Sequence, residues 1–111
     1  MVNKTQMLKG ILEGCVLKII SEKPCYSAEI AEALKNYGFE ETSEGTLFPM
    51  LLRLEKEGLF DTEKISNPLG PNRKYYRLNA WGTAELQRFI EVWRGFSGII
   101  DNILVGNCEI R

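Results

Sequence analysis

A chain of 111 residues has room for one domain of ordinary size, which argues against a two-domain enzyme. Its 44% hydrophobic and 26% charged residues are a globular balance, and no uncharged run approaches the ~20 apolar residues of a membrane span. The amino terminus carries no signal-peptide pattern, so the cytoplasm is the expected compartment, and a net charge of −1 leaves nucleic-acid binding to a local patch.

From Gln6 to Ser21 the apolar residues Met7, Leu8, Ile11, Leu12, Cys15, Val16, Ile19 and Ile20 recur at spacings of three and four, predicting an amphipathic helix that Pro24 ends. Ser27 is expected to cap a short second helix with the stripe Ile30, Ala31 and Leu34, stopping near Gly38. A third helix is punctuated by Ser43 as cap, Glu44 in the first turn and Gly58 after the last, with Leu47, Leu51 and Leu54 on one stripe and Met50 beside it. Leu59 to Ile65 alternates, the next seven residues are dense in turn formers, and Arg73 to Leu78 is strand-like. This predicts a hairpin in which one of Tyr75 and Tyr76 is buried.

Asn79 can cap a long helix running toward Leu104, with Leu86, Phe89, Ile90, Trp93, Phe96, Ile100, Ile103 and Leu104 at helical spacing. That apolar face is longer than a small domain can cover, and in a short chain it points to a second copy. The predicted class is mainly α with a small β-hairpin.

Three helices followed by a hairpin is the order of a winged helix-turn-helix, whose third helix enters the DNA major groove while the wing touches the backbone. The expected division is a DNA-binding unit over 1–79, a dimerisation helix over 80–105 and a frayed tail over 106–111. Residues 64 to 84 hold Lys64, Arg73, Lys74 and Arg77 and no acid, so positive charge gathers where a wing would meet phosphate. Thr46 can offer a hydroxyl and a methyl to base edges, and helix amides near Ser43 can meet a phosphate. Arg53 can reach the backbone or pair with Glu57, while Leu47 fits either the groove or the core. Gly70 and Pro71 form a tight tip preceding Arg73 and Lys74.

Other chemistry finds little support. Cys15, Cys25 and Cys108 form no CxxC pair and the chain has no histidine, so neither a disulfide framework, a metal site nor the usual general base is indicated. No cofactor motif is present. Glu40, Glu41 and Glu44 read as a solvated loop before the third helix rather than a catalytic pair. Gly10 and Gly14 share a face of the first helix, leaving a groove for a partner helix or planar ligand.

SEGTLFPMLLRLEKEGLF at 43 to 60, followed by GPNRKYYRLNAWG at 70 to 82, resembles the PadR family of bacterial transcription regulators. LKGILEGCVLKIISEKPCYSAEI at 8 to 30 resembles that family's opening helix and turn. The length and single carboxy-terminal helix are similar to its short subfamily. Ser27 stands where members often have glycine, and Phe48 where they often have tyrosine, which removes a hydroxyl able to bond phosphate. The resemblance implies a homodimeric repressor on palindromic double-stranded DNA, with Tyr26, Ser27, Ser43, Thr46, Leu47, Phe48, Arg53, Pro71, Arg73 and Lys74 facing it. It also implies a dimer interface or small aromatic effector site involving Met7, Gly10, Ile11, Gly14, Trp93, Phe96 and Ile100. The alternative is a winged-helix module that docks protein and never touches DNA.

Overall fold

The computed structural model describes residues 7–106. In chain order the elements are α1 (Leu12–Glu22), β1 (Cys25–Tyr26), α2 (Ser27–Tyr37), α3 (Glu44–Lys56), β2 (Phe60–Ile65), β3 (Arg73–Leu78) and α4 (Ala80–Asp101), which continues into a π-helical segment, Asn102–Gly106.

The first helix begins later than its apolar period suggests. Met7 and Leu8 are helical, but Lys9 to Ile11 form a turn in which the Ile11 N–H donates to the Leu8 carbonyl at 3.0 Å. Gly10 lies in that turn, where a glycine is better placed than in a helix interior, which it would destabilise by about 1 kcal/mol. The helix stops at Glu22 because Lys23 precedes a proline and is extended, with φ −168° and ψ 156°.

Ser27 is not the cap of the second helix. Tyr26 holds that position, its backbone N–H donating to Glu29 Oε1 at 3.3 Å, and Ser27 is the first helical residue. The reason is non-local: Cys25 and Tyr26 pair with Tyr76 and Tyr75 of β3. The expected hairpin is therefore a three-stranded antiparallel sheet of order β1-β3-β2.

In α3 the local signals hold: the Ser43 hydroxyl accepts the Thr46 N–H at 3.2 Å, and Gly58 follows the helix at φ +84°, a left-handed conformation that glycine adopts at no steric cost. Pro49 sits inside α3, so the Gly45 carbonyl lacks the i+4 donor that continues the ladder elsewhere. Val16, Leu17 and Ile20 of α1, Ile30 and Leu34 of α2, and Leu47, Leu51 and Leu54 of α3 form the core with Phe60, Tyr76 and Leu86. Each such aliphatic side chain contributes about 1.5–3 kcal/mol by leaving water. Tyr76 is the buried member of its pair and meets Phe60 edge-on at 5.4 Å, while Tyr75 is half-buried.

Asn79 caps α4, accepting the Gly82 N–H at 2.9 Å. Leu86 is buried and Phe89 and Ile90 are half-buried, but Val92, Trp93, Phe96 and Ile99 are exposed. The helix leaves the domain as a rod, giving extents of 61 × 31 × 20 Å. The α-helical period ends at Asp101, short of Leu104, and widens to a π turn closed by Gly106 at φ +91°. The rest of the expected tail, residues 107–111 with Cys108, lies outside the described residues.

Candidate nucleic-acid interface

The first turn of α3 presents Ser43, Glu44, Thr46 and Phe48 to solvent, and the Ser43 and Thr46 hydroxyls lie 3.0 Å apart. Free backbone amides and the positive end of the helix dipole make such a turn suited to phosphate. The Ser27 hydroxyl donates to Glu44 Oε1 at 2.8 Å, tying the start of α2 to the start of α3. Leu47 is withdrawn from this surface: it is 0% exposed, because the helical stripe it shares with Leu51 and Leu54 faces the core.

Arg53 is exposed, but its charge is already engaged. Its guanidinium pairs with Glu57 one turn on, at 3.2 Å, and with Glu13 of α1. The Glu13 carboxylate, with a smaller contribution from Glu57, raises its pKa further. The i,i+4 spacing makes Glu57 legible in the sequence; Glu13, forty residues away, leaves no local signal.

In the wing, alternation along β3 separates its cations. Arg73, Tyr75 and Arg77 share one face; Lys74, Tyr76 and Leu78 share the other. The Arg73 guanidinium lies 4.5 Å above the Tyr26 ring, which meets Tyr75 edge-on at 5.2 Å, and it has no carboxylate partner among the described residues. Lys74 instead donates to Glu55 Oε1 of α3 at 2.6 Å. Lys64, directly across from Lys74, is exposed; the sequence places it in the basic run without marking it as a contact. Pro71 is exposed at the tip, beside a turn closed by the Gly70 N–H on the Asn67 carbonyl at 3.1 Å.

On the far side, α1 and α4 enclose an open cleft of about 680 Å³ lined by Ile11, Gly14, Cys15, Phe89 and Trp93. The expected groove over Gly10 and Gly14 exists only in part, because Phe89 of the same chain fills the space at Gly14 while Gly10 faces open space. Met7 and Phe96 are exposed and Ile100 is half-buried; none of the three lines the cleft. Burial raises the Cys15 and Cys25 thiol pKa values, so both favour the less reactive protonated form.

A three-helix core with a third helix open at its start, flanked by a three-stranded wing and followed by a projecting helix, defines a winged helix-turn-helix regulator. Residues 16–88 match the transcriptional regulator PadR-like family, and the chain belongs to it. A PadR-like transcriptional regulator from Bacillus cereus is 42% identical, with 92% of this chain and 99% of that one covered and a TM-score of 0.82. A Streptococcus transcriptional regulator is 37% identical over 90% of this chain and 98% of its own, with a TM-score of 0.79. A Lysinibacillus sphaericus protein, Uncharacterized protein X, is 30% identical over 105 residues, 93% of this chain and 96% of its own. Members of this family are DNA-binding transcriptional regulators and not enzymes. Among the described residues no helix is long and apolar enough to cross a membrane, and no group of His, Cys, Asp or Glu is placed to hold a metal ion.

Proposed function

We propose that the chain is a homodimeric repressor that grips a palindromic operator and releases it when a small aromatic molecule enters between subunits. One relay of contacts carries the reading: Arg73 rests on Tyr26, and the next residue, Ser27, bonds to Glu44 at the start of α3. The relay links a wing cation that has no carboxylate partner among the described residues, through the start of α2, to the open turn of the recognition helix, and it supports Tyr26, Ser27, Ser43, Thr46, Phe48, Pro71 and Arg73 as the DNA-facing set.

The division of labour follows from burial. Residues 1–79 are the reading unit, and the apolar stripe over 80–105 is the subunit contact, where Trp93 and Phe96 serve as anchors and Ile100 as flanking packing. Two copies joined this way would set their recognition helices about 34 Å apart, one turn of DNA. An aromatic ligand in the cleft beside Ile11, Gly14 and Trp93 would favour a different spacing, by no more than its difference in affinity for the two arrangements.

A binding selection on genomic fragments with the purified protein tests the reading. The expected result is a palindrome whose affinity falls with salt at a log–log slope near −0.9 per phosphate neutralised. Failure to bind any duplex at low salt would overturn it in favour of a protein-docking module.

A further inference from the structure

We infer that Lys74, although it lies in the basic wing, positions that wing against the recognition helix and does not contact phosphate. The inference rests on the DNA-binding reading above and refines it.

The strand places this side chain first. Alternation turns Lys74 to the same face as buried Tyr76 and Arg73 to the opposite one. On that face Lys74 Nζ is held from two sides, by Glu55 Oε1 at 2.6 Å and by the Tyr76 ring, whose centroid is 5.4 Å away. The carboxylate distance is that of a short charge-assisted bond. Only 31% of the Lys74 side chain and 30% of the Glu55 side chain remain exposed, so water screens this pair less than it screens the other ion pairs of α3.

The alternative fails on charge. If Lys74 swung out to a phosphate, it would leave the Glu55 carboxylate half-buried and unpaired, facing the same polyanion. Lys64 adds a second reason. It lies directly across β2–β3 from Lys74, an arrangement that repels unless an acid stands nearby, and Glu55 supplies that acid. The pair thus joins the last turn of α3 to the first half of β3 while leaving Arg73, on the opposite face, for the DNA backbone.

Glu55→Gln gives the two roles opposite signs. With a duplex carrying the selected palindrome, Lys74→Met and Glu55→Gln should each weaken binding roughly five- to tenfold, the scale of one lost partly shielded pair in each subunit. Both should keep the wild-type salt slope, whereas Arg73→Met should flatten it by about 0.9 per subunit. Lys74→Arg, and the exchange Glu55→Lys with Lys74→Glu, should bind within about twofold of wild type, since each retains the pair. A Lys74→Met slope flattened like that of Arg73→Met, with tighter binding by Glu55→Gln, would overturn the assignment. Amide ¹⁵N relaxation of residues 66–72 without DNA supplies the second arm: faster motion is expected in both single variants and recovery in the exchange. Unaltered motion in both would refute the strut even if wild type bound no duplex, a result that by itself would count against the DNA-binding reading.

Discussion

Gly14 of α1 and Phe89 of α4 share one crossing point: a Cβ at residue 14 would lie 2.1 Å from Phe89 Cε1. The absence of a side chain at residue 14 lets the rod helix lie against the domain. Gly14→Ala is expected to destabilise the fold by about 1–3 kcal/mol, because overpacking outweighs the ~1 kcal/mol that alanine gains as a helix former. Urea unfolding measures this, with Gly10→Ala, whose Cβ meets nothing within 4 Å, as the tolerated control. Equal midpoints for the two variants would mean that the Phe89 ring moves aside freely.

Ser43 serves both stability and the DNA-facing surface. Ser43→Ala removes the bond to the Thr46 amide and should cost about 1 kcal/mol by thermal melting. Ser43→Asp restores a cap of equal quality but puts a negative charge where phosphate is expected. The aspartate variant should melt like wild type and bind duplex more weakly. Wild-type affinity in that variant would place the DNA elsewhere.

Trp93 is 43% exposed in the single chain, so its truncation should leave the helical content of the subunit unchanged. As an interface anchor it should nonetheless weaken self-association by about 2–4 kcal/mol when replaced by alanine. Sedimentation equilibrium reads the difference. Identical association of Trp93→Ala and wild type would move the subunit contact off this face.

Cys15 lines the cleft with its pKa raised by burial. The thiolate is the reactive form, so a raised pKa leaves less of it at any given pH and moves its alkylation to higher pH. Its rate with iodoacetamide, followed by site-resolved mass spectrometry, should reach half its plateau at a pH above the ordinary thiol pKa of about 8.5. A rate at pH 7.5 equal to that of a small free thiol would contradict the burial.

Legibility in the sequence tracked the distance over which each feature is decided. The caps at Ser43 and Asn79 lie within three residues of the amides they serve and are visible as short motifs. β1 is two residues long and exists because β3 lies beside it, about fifty positions later; no local pattern announces it, and the mistaken cap at Ser27 follows from missing it. The basic wing was legible as composition, but composition does not separate Arg73, left on the outer face, from Lys74, bound to Glu55 nineteen residues away. Similarly, the stripe containing Leu47 was visible, and only packing decided that it belongs to the core.

Pro49 gives the recognition helix an uneven stiffness. With one rung missing between Gly45 and residue 49, the turn that carries Thr46 is joined to the rest of α3 by fewer bonds than any later turn. Leu47, 0% exposed, compensates by packing: it ties this turn to the hydrophobic interior where the backbone ladder is one bond short.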